Sequence, residues 1–447
     1  MVNPKEMPVD DELKSALKKA ILASLSIVRG QLQNFSEVYL FWRKRSAGHW
    51  HGECQHRPAL QKVFNATRNQ LDEIAADCTG LFMAKHPEYS GPVGLAGLNQ
   101  HRILTFVTWI PESAIRWLWY THGSLDVDDA LLDVIINELE ESVELPTVRL
   151  RFQAQLLNYR MAADRLILPD DLVIRRLSEQ EVSVLDGGPL ITLGFMRPRF
   201  AGPHEFVIEG EVEVEKQHRN FESFVNNIAR DRFNKTILCL RTFKSGHVGY
   251  DYIHFRPVKF CQFAMGSRGC GDSYVPFGGY HISKEEEESL HDYAAMFFHV
   301  TEPAMEMAFS RLADAETRTR PQDRLLDAVI GMEAILLAGS KKQKQIKRNL
   351  SRRYSTLFDS TKERDLSCKV AKDLYKLRCD IAHGNEMKSN RHLVGHEQLT
   401  LADAASRATE ALRMIIRRFL PEANVAPYRK STFWDRAYFG LGKDADD

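Results

Sequence analysis

Apolar residues recur every three to four positions in "ELKSALKKAILASLSIVRGQLQ" and again in "DVDDALLDVIINELEESV", the spacing of an amphipathic helix. The pattern predicts a mainly helical region over residues 1–143, broken at Gly48 and in the Gly/Pro-rich "YSGPVGLAGLNQ". From about Glu144 the texture changes. "TVRLRFQAQLL", "EFVIEGEVEVEKQ", "KTILCLRTF" and "VGYDYIHFRPVKF" are β-rich runs with frequent alternation, separated by the turn-like "DGG", "AGP" and "KSG". Residues 144–280 therefore read as an antiparallel β-rich domain that closes in the Gly-rich "GSRGCGDSYVPFGG".

From His281 the helical period returns. "ISKEEEESLHDYAAMFFHV" opens with Ser283 and carries Glu286 three residues on, the spacing of a capping box. "PQDRLLDAVIGMEAILLAG" places Pro321 near a helix start and Gly339 past its end. "KKQKQIKRNLSRRYSTLF", "TKERDLSCKVAKDLYKLRCDIAHG" and "LTLADAASRATEALRMIIRRFL" supply three more helices. Short joins between amphipathic helices predict a bundle over residues 281–425. The tail, 426–447, holds Phe433, Trp434, Tyr438 and Phe439, a density that predicts packing on this domain or on a partner subunit. The fold class is α+β, with a helical N-terminal region, a β-rich middle and an all-α C-terminal bundle.

Length agrees with several domains, since 447 residues at roughly 150 per domain give about three. Lysines plus arginines equal aspartates plus glutamates at 60 each, so any attraction for phosphate must come from local clustering. The most apolar stretch, "ILTFVTWIPESAIRWLWY", contains Pro111, Glu112 and Arg116, which are costly in lipid, and reads as a buried helix or helix pair. No membrane association is expected. The N-terminus lacks the basic-then-apolar layout of a signal peptide. Seven cysteines without a C-x-x-C pair point to reduced thiols and a cytoplasmic location.

The chemistry concentrates in "DLYKLRCDIAHGNE", Asp373 to Glu386. Val370, Leu374, Leu377 and Ile381 define the buried stripe of a helix. Arg378 borders that stripe, and His383 lies on the far, polar side, because five steps of about 100° turn through roughly 140°. An ideal helix does not bring the two side chains together. One phosphate can meet both only through a long Arg reaching round, an unwound last turn before Gly384, or a second subunit. The alternative is a solvated helix end where His383 favours the negative end of the dipole.

"LYKLRCDIAHG" resembles the Arg-x4-6-His signature of the HEPN superfamily, in the form found in its ApeA-like branch. The likeness covers about residues 145–420 and is strongest in the last 140 or so; "ISKEEEESLHDYAAMFF", "AFSRLADAETRTRPQDRLLDAVIGMEAILL" and "RNLSRRYSTLF" follow in the branch's order. "LPDDLVIRRLSEQEVSVL" and "CLRTFKSGHVGYDYIHF" are similar to segments that precede such a domain. The resemblance implies an all-α HEPN bundle that forms a homodimer, with two Arg–His motifs facing each other across a cleft. It implies a metal-independent endoribonuclease with no cofactor, RNA as substrate, and Arg378 and His383 as its catalytic pair. Histidine titrates near pH ~6.5 and can move a proton at neutral pH. A guanidinium can hold a phosphate and stabilise charge on its non-bridging oxygens. The expected product ends are a 2′,3′-cyclic phosphate and a 5′-OH. Proteins of this kind are often bacterial anti-phage (abortive infection) effectors, which would give the first two regions a phage or regulatory trigger to sense.

Many such nucleases carry Asn, Asp or His directly after the Arg, where this chain has Cys379, a weak hydrogen-bond donor. Asp380 could orient His383 or Arg378, or stand as an ordinary exposed carboxylate. Glu333, among apolar neighbours in "GMEAILL", matches an acidic position of the branch and needs a partner, for which Arg378 or another bundle arginine is the natural candidate. "KKQKQIKRNLSRR" has seven basic residues and no acidic one, and offers Lys341, Lys342, Lys344, Lys347, Arg348 and Arg352 as a track for RNA phosphates or as a solvated face. "HWHGECQH" groups His49, His51, Cys54 and His56, zinc-ligand types at unusually tight spacing with no second cluster, so no metal is assigned. "GSRGCGDS" lacks the Lys-Ser/Thr ending of a phosphate loop and reads as a turn. Two other readings stay open: a catalytically inactive HEPN module for dimerisation or RNA binding, and a sensor scaffold whose work belongs to the N-terminal region.

Overall fold

In the computed structural model the described residues are 9–34, 36–44, 50–58, 60–85, 110–122, 124–178, 181, 205–215, 221–260, 266–268, 279–340, 345–385 and 390–439. They are mixed α+β, with an antiparallel sheet and a C-terminal helical region. The chain divides into two compact units that interleave along the sequence. One comprises residues 1–155, 172–230 and 251–271, and the other 156–171, 231–250 and 272–447.

The first unit begins with helix α1 (Val9–Leu32), strands β1 (Ser36–Lys44) and β2 (Trp50–Pro58), and helices α2 (Leu60–Lys85), α3 (Ile110–His122) and α4 (Asp129–Glu144). The helices form because their apolar positions share one side: Leu17, Ile21, Phe64, Ile115, Leu118 and Ile135 meet in one core. Asp128 starts α4 by accepting the Leu131 N–H at 2.8 Å. The apolar stretch around Pro111 is a packed helix from Ile110 onward, and its polar residues are satisfied internally. Glu112, 8% exposed, accepts from Arg116 at 2.6 Å and pairs with Arg68, also at 2.6 Å. Among the described residues no helix is long and apolar enough to cross a membrane. A mainly helical region is expected here, yet β1 and β2 pair as an antiparallel hairpin, from Ser36 opposite Pro58 to Lys44 opposite Trp50.

The sheet of this unit is centred on β3 (Thr147–Leu157), followed in the chain by β4 (Tyr159–Met161), β5 (Arg165–Ile167), β6 (Val173–Arg176) and β7 (Phe206–Glu215). β7 lies antiparallel to β3, with Thr147 opposite Glu215 and Gln155 opposite Val207, and β6 pairs with the other edge of β7. β8 (Gly249–Pro257) and β9 (Gly266–Arg268) extend the sheet beyond β3. "KTILCLRTF" is a strand by composition but a helix in fact, the second half of α5 (Phe221–Phe243). Val225, Ala229, Phe233, Ile237 and Leu240 are all buried at steps of three and four, so one continuous helical stripe overrides the β-branched Thr236 and Ile237.

The second unit holds the C-terminal half of α5, the short parallel pair of β4 with β10 (Tyr280–Ile282), and the helices that follow. These are α6 (Lys284–Phe298), α7 (Pro303–Thr317), α8 (Pro321–Leu336), α9 (Ile346–Ser355) and α10 (Thr361–Ala382). Strands β11 (His392–Val394) and β12 (Glu397–Leu399) then form a small hairpin before α11 (Leu401–Phe419) and α12 (Ser431–Phe439). Glu286 accepts the Ser283 N–H at 3.0 Å and so closes the start of α6. Gly339, just past α8, has φ +70°, and a Cβ there would lie 2.1 Å from the Arg429 carbonyl oxygen, so no other residue fits without displacement. α8 is the central helix, against α7, α10 and α11, and Leu325, Val329, Leu374, Leu377, Ala404 and Ala408 share its core. Phe433 and Trp434 of the tail pack inward on Phe419 at ring separations of 6.0 and 5.7 Å.

One buried ion pair ties α11 to α7: Arg413 donates to Glu316, and their side chains are 4% and 2% exposed. Arg413→Met leaves the Glu316 carboxylate buried without its cation and is expected to destabilise this unit by about 3–5 kcal/mol. Adding Glu316→Leu is expected to restore much of that loss. Urea unfolding of the three proteins checks both statements.

Candidate active site at the end of helix α10

Helix α10 is held at both ends by its own sequence. Ser360 accepts the Glu363 N–H at 3.2 Å and starts it. Val370, Ala371, Leu374 and Leu377 are buried against the core, and truncating one such leucine costs about 2–5 kcal/mol. At the other end His383 is the C-cap and Gly384 takes the left-handed conformation, φ +67°. The Gly384 N–H reaches the Ile381 carbonyl at 3.0 Å, and the Asn385 N–H reaches that of Asp380 at 2.9 Å. Together these are the two bonds of a Schellman ending. The helix is therefore regular through Ala382, and the last turn is not unwound.

That regularity keeps Arg378 and His383 on different sides. Arg378 turns toward α8, where its Nε stands 3.3 Å from the Glu333 Oε1. The two side chains are 25% and 22% exposed. The contact is an ion pair by distance, but the two facing atoms make no directed hydrogen bond. Desolvation pushes the Glu333 carboxyl above the ordinary glutamate range, and the Arg378 charge opposes this only in part. Tyr375, one turn back on the same helix, lies under the Arg378 guanidinium at 5.9 Å from its ring centre. Burial raises the Tyr375 phenol, and the neighbouring Cys379 and Glu333 raise it further.

His383 is exposed, and among the described residues its ring has no hydrogen-bond or ionic partner. Asp380 is engaged by the cap, accepting the Asn385 side-chain amide at 3.2 Å, rather than by His383 or Arg378. One chain thus presents a cation and an imidazole at the surface of the same helix end, about 140° apart, without bringing them together.

On α9 the basic residues split between two sides. Lys347 and Arg348 are exposed, and Arg352, half-buried, lies 3.6 Å from the centre of the Tyr438 ring. Arg353 turns inward, donating to the Leu336 carbonyl at 2.6 Å beside Trp434. Lys341, Lys342 and Lys344 lie outside the described residues, as does His49. His51, Cys54 and His56 fall on β2, of which only the backbone is described. Among the described residues no group of three or more His, Cys, Asp or Glu could hold a metal ion. Of the "GSRGCGDS" run, Gly266 to Arg268 form β9 and the remainder lies outside the described residues.

Tyr375 and Tyr438 were not singled out as site residues by sequence. Tyr375 carries a signal, being three residues before Arg378 and so on its face of the helix. Tyr438 has none, since its contact with Arg352 spans 86 residues of chain. Compared with family models, curated proteins and solved structures, the chain matches none.

A pH series tests the Glu333 environment. A carboxyl whose folded pKa is raised gives its stabilisation below the ordinary value and loses it as pH rises through the folded pKa. Relative to Glu333→Gln, the wild type should lose thermal stability between pH ~4 and pH ~7. A gain over the same range would mean that the Arg378 attraction outweighs desolvation.

Proposed function

We propose that the protein is a metal-independent endoribonuclease of the HEPN type, working as a homodimer whose two α10 ends complete one cleft. The observation that carries this reading is the placement of Arg378 and His383 on the last two turns of a capped helix, His383 exposed and Arg378 a quarter exposed beside Glu333 on a different side. In a symmetric dimer an Arg378 and a His383 from different chains can meet one phosphate. The 2′-OH attacks the adjacent phosphorus, forming the O2′–P bond and breaking the P–O5′ bond. One proton leaves O2′ and one arrives at O5′; His383 carries out one of these transfers, and Arg378 neutralises the charge on the non-bridging oxygens. The products are a 2′,3′-cyclic phosphate and a 5′-OH.

This reading places an N-terminal region of unassigned role at 1–143, a β-rich region at 144–280, the nuclease bundle at 281–425 and an aromatic tail at 426–447, in a cytoplasmic protein. The role of an anti-phage effector released by a phage or regulatory trigger rests on the HEPN resemblance. A second reading, a catalytically silent HEPN module for dimerisation or RNA binding, draws on one observation: Arg378 is already paired with Glu333, and its next neighbour is Cys379.

The discriminating measurement is RNA cleavage in excess EDTA. Wild type should give 5′-OH fragments, and His383→Ala should lower the rate about 10²–10⁴-fold, with a comparable loss for Arg378→Ala. Equal cleavage by wild type and both variants removes the catalytic assignment. Dimer and RNA binding retained without cleavage selects the silent module.

A further inference from the structure

The tail aromatics divide between an inward-packed pair and an exposed ring. Trp434 is buried at 4% exposure, and Phe433 contacts both Trp434 and Phe419. Tyr438, one turn further along α12, is 44% exposed. Arg352 of α9 covers its ring at 3.6 Å from the centre, in van der Waals contact with the π-face. Arg348 lies one turn before Arg352 on the same side of α9, with Lys347 beside it, both exposed. A cationic helix face therefore ends in a guanidinium–phenol stack at the surface. Asp435 and Arg436 are the other charged residues on this part of α12, and both are exposed. Asp435 also faces the charge of Arg353, and among the described residues Lys347, Arg348, Arg352, Arg353 and Arg436 outnumber Asp435, so this part of the surface is net cationic.

We propose that Arg352 and Tyr438 form a stacking platform for one base of a single-stranded RNA, whose phosphates follow Lys347 and Arg348. The inference rests on the ribonuclease reading for the identity of the nucleic acid. Single strands bind by this combination, with a basic track holding the backbone and a planar side chain accepting a base face. A duplex has its bases stacked on one another and offers such a platform nothing. The proposal thus assigns a strandedness preference that phosphate attraction alone does not supply, because attraction to phosphate does not read bases.

The test is fluorescence anisotropy with the full-length chain, in a His383→Ala background to prevent cleavage. The probes are a labelled oligoadenylate about 12 nucleotides long and an RNA duplex of matching length. Tyr438→Ala should weaken single-strand binding about 5- to 150-fold, the range carried by one base stack, and leave duplex binding unchanged. Tyr438→Leu keeps an apolar side chain on α12 without a π-face and should lose as much. Tyr438→Phe should bind as wild type. The slope of log affinity against log salt should stay constant in the Tyr438 variants and fall in Arg348→Glu. Unchanged single-strand binding in both the Ala and Leu variants overturns the platform, as does an equal loss for single strand and duplex. If the unsubstituted background binds neither probe, the platform and the ribonuclease reading fall together. If wild type cleaves RNA in EDTA while the Tyr438 variants bind normally, the platform alone falls.

Discussion

The C-terminal helices depend on one desolvated ion pair. Arg413 and Glu316 are almost wholly removed from water, so the Glu316 charge is tolerable because Arg413 is there, while Arg413 also meets the exposed Glu410 carboxylate. The pair fixes α11 against α7, and α8 lies against both. Gly331 sets how closely: a Cβ at that position would come within 2.5 Å of the Leu412 side chain, so α8 and α11 approach through a glycine. The same α11 face reaches α5, where Arg417 donates to the Phe243 carbonyl and Arg413 approaches that of Arg241 at 3.4 Å. Two guanidinium groups thus meet the negative end of α5 and take two of its last carbonyls.

Glu333 inherits its position from this arrangement. Two residues beyond Gly331, it cannot move away from α10 unless α8 does, and it therefore meets Arg378 on fixed terms. The ion pair is imperfect in direction and half-desolvated, and burial makes the carboxylate costly to ionise. Under the proposed function, the anion held beside Arg378 marks where a phosphate oxygen would be stabilised, and a carboxylate without a directed hydrogen bond is easier to displace than a well-bonded one. The same contact would keep Arg378 extended toward α8 when no RNA is present.

Sequence legibility follows how local each cause is. The α10 stripe, the Ser283–Glu286 closure of α6 and the Gly339 stop of α8 depend on residues within a few positions of one another, and all can be read directly. Glu333 was legible for a different reason: a carboxylate among Met332, Ala334 and Ile335 must find a cation, and few are within reach. The second half of α5 misleads because its β-branched residues state a strand preference that only the buried faces of Phe233 and Leu240 overrule. The β1–β2 hairpin is local but sits between two long helices whose period dominates the pattern of this region; the interleaving of the two units depends on partners far along the chain. Tyr438 belongs with these, since nothing near it in sequence names Arg352.

The five-residue step between Arg378 and His383 changes meaning once the helix end is known. If α10 frayed before Gly384, the histidine could swing toward the arginine and one chain could hold both. The two Schellman bonds to Ile381 and Asp380 oppose that, and Asn385 adds a third tie through the Asp380 carboxylate. Fraying would break all of them and also expose an arginine already paired with Glu333. Two groups held about 140° apart on one cylinder cannot face a common atom from the same side. They can do so from two cylinders related by a twofold axis, where the angle that separates them in one chain becomes the angle that lets each reach across to the other.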